Sequence, residues 1–159
     1  GDRSLMKSFR SPLLIAFSLL LAACASGGGD VRSEPPTLQI EGLGLEPGRV
    51  RLDLLVHNPN DHPLELQGVS LAMEIEGSEL FSDDWPLTLR MGPRVNERLQ
   101  LETRLQPDPG RLLLERGRER GASIAYSLEM EIRVAGQGNK RDEREDFLHP
   151  VPGQQGQFR

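Results

Sequence analysis

One cysteine stands in this 159-residue chain, at position 24. No intrachain disulfide can form, and no second thiol can complete a metal site. Aromatics make up 4% of the residues. Those well inside the expected folded part are Phe81, Trp85, Tyr126 and Phe147, fewer than a surface that stacks sugars or bases would use. Positive charge is also short. Without Asp2, Arg3, Lys7 and Arg10, the 19 basic and 24 acidic residues become 16 and 23, a net charge of −7. Such a balance argues against binding nucleic acid and against electrostatic attraction to anionic lipid. The longest apolar run, Pro12–Ala23, is too short for a transmembrane helix, which takes about 20 residues. No His-x-x-x-His spacing, Gly-x-Ser-x-Gly or calcium-loop pattern occurs, so neither a nucleophile–base pair nor a metal-ligand set is visible. No cofactor and no catalytic activity are expected.

What is present at the start of the chain is specific. Lys7 and Arg10 precede the apolar run, which ends in Leu21-Ala22-Ala23 directly before Cys24. A charged start, a short apolar middle and small terminal residues make a secretory signal. With the cysteine, the arrangement resembles the lipobox of bacterial lipoproteins, which implies cleavage between Ala23 and Cys24 and acylation of the thiol. The alternative is a cysteine that merely ends a hydrophobic helix. Several acyl chains hold a protein firmly, since each buried CH₂ contributes about 0.8 kcal/mol. Ala25 in place of Asp resembles the Gram-negative pattern for the outer rather than the inner membrane. The expected organisation is therefore upstream residues and signal over 1–23, a flexible tether over 24–35, one domain over 36–150 and a disordered tail over 151–159. The Gly/Ser-rich tether would span about 20 Å.

From Pro36 onward, apolar residues recur with period two. Val50, Leu52, Leu54 and Val56 alternate with Arg51, Asp53, Leu55 and His57; Val69, Leu71, Met73 and Ile75 form a second set; Ile124 through Val134 forms a third. One apolar face and one polar face predict half-buried antiparallel strands. Weaker strands are expected at 38–45, 87–91, 95–105 and 143–148. Turn residues separate them, among them Glu46-Pro47-Gly48 and Gly136-Gln137-Gly138-Asn139. Gly42 and Gly44 mark a bulge or a close strand contact. Asp108 as N-cap, Pro109 and three leucines predict a short helix, with Gly117 and Gly121 as its stops. The fold class is all-β: an antiparallel sandwich of about seven strands with one short helix.

Four features invite a functional reading. His57, His62 and His149 share no ligand spacing and read as solvent-exposed. The acidic run Asp142–Asp146 is interrupted by Arg144 and reads as a solvated strand entry. Phe81 and Trp85 are the candidate partner contact; Trp85 covering the open edge of the core is the competing reading. Asn58-Pro59-Asn60, after an alternating strand, reads by itself as a turn.

The order of these elements carries more. An alternating strand ending in Asn58-Pro59-Asn60, then Pro63–Gln67 and Gly68, then a second strand, resembles the late embryogenesis abundant type 2 family, also called the WHy domain. The resemblance covers about Leu38 to Leu148; the Arg/Glu-rich segment Glu115–Arg120 departs from the pattern. It implies a fibronectin-III-like sandwich without catalytic activity, associated with desiccation and other water stress and with protection of labile client proteins. Bacterial lipobox-bearing members occur. The expected function is a lipid-anchored protective protein on the periplasmic side of the outer membrane; the alternative is an envelope module that binds a protein or lipid.

Overall fold

Alternation becomes strand wherever one face has apolar residues to meet. The computed structural model describes residues 33–104 and 109–159. In chain order the elements are β1 (Thr37–Glu46), β2 (Arg49–His57), β3 (Leu64–Ile75), β4 (Ser78–Met91), β5 (Asn96–Arg104), α1 (Pro109–Glu119), β6 (Ile124–Val134), β7 (Gly138–Leu148) and β8 (Gln157–Phe158). The signal residues, the cleavage site at Ala23 and Cys24, most of the tether and the expected cap Asp108 lie outside the described residues.

Two antiparallel four-stranded sheets form a sandwich, with strand orders β5-β2-β1-β8 and β4-β3-β6-β7. Val50, Leu52, Leu54 and Val56 from one sheet and Val69, Leu71, Met73, Ile75 and Leu128 from the other are buried together in one core. Each such side chain contributes about 1.5–3 kcal/mol by leaving water. Gly42 sits where the β1–β2 register slips, and Gly44 lies opposite Gln157 of β8. Both readings of the glycine pair are thus realised, one at each residue.

Three strands, β3, β4 and β7, are longer than the sequence pattern predicts. β3 and β4 join through Glu76-Gly77, both at positive φ (48° and 84°), the geometry of a two-residue I′ hairpin. β4 runs on through Asp83-Asp84-Trp85-Pro86, which resembles a loop in sequence. Proline is tolerated there because β4 is an edge strand. The tail corrects an expectation outright. Residues 151–159 are not disordered: β8 pairs with β1, and Phe158 is 1% exposed. His149 and Arg159 exchange two backbone bonds of 2.8 and 2.9 Å.

Helix α1 passes through Gly117 instead of stopping there. The missing side chain admits Ile124, whose Cγ1 lies 2.3 Å from where a Cβ would stand. Its real end is a Schellman motif. Gly121 has φ +63°; its N–H bonds Arg118 O at 3.0 Å, and Ala122 N–H bonds Gly117 O at 3.1 Å. At the other end Gly110 rests on the β3–β4 hairpin, and an added Cβ would lie 2.6 Å from Glu79 O and 2.7 Å from Ser78 O. Those are backbone atoms, so the helix must move. Gly110→Ala is expected to destabilise by about 1–3 kcal/mol, read as a lower urea midpoint.

Candidate functional site

Asn58-Pro59-Asn60 lies where β2 leaves its sheet. A residue before proline is held extended, so Asn58 continues the strand and its side chain turns inward. Asn58 is 0% exposed and Asn60 5%; Pro59 is half-buried. An amide carries two donor hydrogens and an acceptor oxygen with two lone pairs, and Asn58 uses all of them. Its Nδ2 donates to His62 O (3.0 Å) and Gly92 O (2.9 Å). Its Oδ1 accepts from Asn60 N–H (3.0 Å) and Asn60 Nδ2 (2.9 Å).

Asn60 carries the network to the chain entering the domain. Its Nδ2 donates to Glu34 O at 2.8 Å and its Oδ1 accepts from Glu34 N–H at 2.7 Å. Its carbonyl accepts from Arg94 N–H at 3.1 Å, while Asn58 N–H donates to Val95 O at 3.0 Å. The tripeptide is a clasp. It joins the segment entering ahead of β1, the β2–β3 connection and the β4–β5 connection, three pieces of backbone with few regular partners of their own.

A second constellation spans β4, β3 and β6 on the outer face of their sheet. Ser70 Oγ donates to Asp84 Oδ1 at 2.5 Å, and Arg133 Nη1 reaches both Ser70 Oγ (3.0 Å) and Asp84 (2.8 Å). The Arg133 guanidinium lies over Gly68, where any Cβ would overlap it. This explains the glycine after the apolar segment. The Ser70 hydroxyl, and then Arg133, hold the Asp84 carboxyl below its ordinary value. The small stabilisation is present at neutral pH and is lost as pH falls through that lowered value.

Trp85 closes the seam on the side where the chain crosses between sheets. Its indole N–H donates to Glu102 O of β5 at 3.0 Å, and its ring meets Phe81 edge-on, centroids 6.4 Å apart. Phe81 is 2% exposed and belongs to the core. Of the two residues named for partner contact, only Trp85 reaches the surface. His57 Nδ1 pairs with Asn96 Oδ1 at 2.6 Å and His149 Nδ1 with Ser123 Oγ at 2.8 Å, both contacts between the ends of neighbouring strands. Among the described residues no cluster of three or more His, Cys, Asp or Glu is placed to hold a metal, and no helix is long and apolar enough to cross a membrane.

Tyr126 is the chain's single tyrosine. Burial, then the charge of Asp146, push its phenol above the ordinary value, with Arg144 opposing. Above the ordinary tyrosine pKa the unfolded chain ionises first. Stability therefore falls as pH rises through the window between the two values. Phenolate absorbance is expected to titrate above the free-tyrosine midpoint in the folded protein and to return to it in urea.

The family model for late embryogenesis abundant proteins (LEA_2) matches residues 53–142, from β2 into β7 and across the clasp. The chain belongs to this family. No curated protein matches it in sequence. Solved structures similar to this LEA protein include a crystal structure of a protein from Archaeoglobus fulgidus, 12% identical, TM-score 0.47, covering 76% of this chain and 98% of that one. Another is the solution structure of a late embryogenesis abundant (LEA) protein, 13% identical, TM-score 0.46, covering 89% and 88%. A third is a solution structure from Arabidopsis thaliana, 14% identical, TM-score 0.46, covering 75% and 80%. The LEA family is generally non-catalytic. Sequence reasoning found the tripeptide but not its reach. Its partners at Glu34 and Gly92 lie 26 and 34 residues away, and no local pattern announces them.

Proposed function

We propose that this LEA protein is a stress-protective lipoprotein of the WHy type, anchored through acylated Cys24 to the outer membrane and facing the periplasm. In this reading it shields labile client proteins during water loss and catalyses nothing. The family match over residues 53–142 carries the proposal. The surface is consistent with it: Arg49, Glu102, Arg141, Glu143 and Glu145 stay exposed on the outer faces. Interleaved charges of this kind hold water and discourage indiscriminate strand pairing. Shielding is then weak and nonspecific, a hydrated module that keeps partly dried proteins apart.

The competing reading is an envelope module that binds one protein or a lipid. Trp85 is its natural anchor, but the indole N–H is already committed to Glu102 O. The test is recovery of a dehydrogenase after drying and freezing, with the LEA protein, with matched albumin and with a matched unrelated sandwich protein. Recovery above both controls at low molar ratio is the expected result. Recovery equal to the controls sinks the protective role and moves the weight to a specific partner, to be sought by pull-down with Trp85→Ala as the negative control.

A further inference from the structure

β7 forms the outer edge of its sheet, hydrogen-bonded to β6 on one side. All its residues are exposed except half-buried Arg144 and buried Leu148. The corresponding edge of the other sheet is the two-residue β8, so no long strand faces β7 across the sandwich. Lys140, Asp142, Arg144 and Asp146 pair with the core-facing residues Ile132, Met130, Leu128 and Tyr126 of β6. Arg141, Glu143 and Glu145 point the other way. Among the described residues only Arg141 of this strand has an ion-pair partner, Glu131 at 3.3 Å. An exposed edge with charges on both faces repels apolar strands.

The order of the charges does something else. Residues 140–146 read Lys-Arg-Asp-Glu-Arg-Glu-Asp. In an antiparallel self-pairing with a two-fold axis at Glu143, Lys140 stands opposite Asp146, Arg141 opposite Glu145, and Asp142 opposite Arg144. Only Glu143 meets its own copy. Two-fold symmetry requires the axis to sit at a residue, and the two neighbouring positions are worse. An axis at Asp142 sets Lys140 against Arg144 and Asp142 against itself. An axis at Arg144 sets Asp142 against Asp146, Glu143 against Glu145 and Arg144 against itself. One register alone is complementary at nearly every step.

We propose that the β7 edge is a homotypic docking site, pairing antiparallel with β7 of a second copy about Glu143 to give a continuous eight-stranded sheet. Backbone hydrogen bonds along the edge supply the attraction, and the side-chain order supplies the register. The interface is isologous, as a closed two-fold dimer requires. The inference does not depend on the protective role and extends beyond it.

The test is sedimentation equilibrium of the full chain in density-matched neutral detergent. Lys140→Asp and Asp146→Lys each create like-charge pairs, twice per dimer, in a homotypic contact. Each is expected to weaken dimerisation by about tenfold, since cross-strand charge pairs are modest and their reversal repels. Mixed together, the two single variants are complementary at both positions, and the mixture is expected to regain the wild-type affinity. The double variant is expected to regain it alone. Both residues are exposed, so neither substitution disturbs the core. A wild-type chain that stays monomeric overturns the proposal. So does an association indifferent to the single reversals, as one through the apolar residues 12–23 would be, and so does a mixture no tighter than its components.

Discussion

Asn58→Asp is expected to lower stability by about 3–5 kcal/mol at neutral pH, close to what removing one member of a buried charged pair costs. The substitution keeps the shape and the Oδ1 acceptor that receives both Asn60 bonds. It replaces the donating NH₂ with an oxygen aimed at His62 O and Gly92 O, 3.0 and 2.9 Å away. At 0% exposure no water can intervene. The introduced carboxylate faces carbonyl dipoles of its own sign and has lost its hydration. Its folded-state pKa must lie above its unfolded value. The penalty is therefore greatest above the folded pKa and shrinks as pH falls through that value toward the ordinary carboxylate range near about 4. Asn58→Ala lacks this pH dependence and should cost about 2–4 kcal/mol through orphaned buried groups. Urea unfolding of both variants at about pH 7 and about pH 4 checks the contrast. Equal penalties for the Asp variant at the two pH values would show that the clasp is not sealed from solvent.

Phe158→Ala should cost about 3–5 kcal/mol, the range for truncating a buried aromatic side chain. Phe158 stands opposite Leu43 in the β1–β8 pairing and forms a bridge with Pro150. Both Phe158 and Leu43 are essentially inaccessible. Around Phe158, residues 151–159 offer only valine, proline, glycine, glutamine and one arginine, so Phe158 is the one large apolar side chain that anchors the segment, beside backbone bonds such as Leu45 N–H to Gly156 O at 2.7 Å. The variant is expected to show a lower urea midpoint and new protease cleavage within that segment. A disordered tail would give a change within about 0.5 kcal/mol, the usual range for surface substitutions, and that outcome would remove β8 from the fold.

Where the sequence spoke clearly, burial was one-sided. β2 and β6 each bury one face and leave the other half-buried or exposed, and their alternation predicts their extents to within a residue or so. β7 is exposed on both faces. It carries no alternation, so only its last six residues are expected as strand, although its ladder with β6 runs from Gly138 to Leu148. The first half of β4 is hidden for another reason: Glu76-Gly77 lacks the usual Asn-Gly or Asp-Gly signal, and the strand then passes through two aspartates and a proline. The helix outruns its expected stop because Gly117 answers to packing against Ile124, not to backbone conformation. The tail reads as disordered because composition is an average, and one phenylalanine does not move an average. The clasp is half-legible. Pro59 and the two asparagines announce a change of direction, but the segment ahead of β1 and the β4–β5 connection they grip come together only in the fold.

That grip has a mechanical consequence. A pull on the chain ahead of Glu34 acts on β1 from its Thr37 end, and Thr37↔His57 is the first pair of the β1–β2 ladder. Loaded there alone, the ladder would open like a zipper, one rung at a time. Asn60 instead holds both the N–H and the C=O of Glu34, so two bonds carry the load side by side before any rung does. Through Asn58 the force passes on to His62 and to Gly92 at the end of β4, and so into the opposite sheet. A domain hung by its N-terminus from a moving support would thus be strained across both sheets at once, with its first strand relieved of bearing the tension by itself.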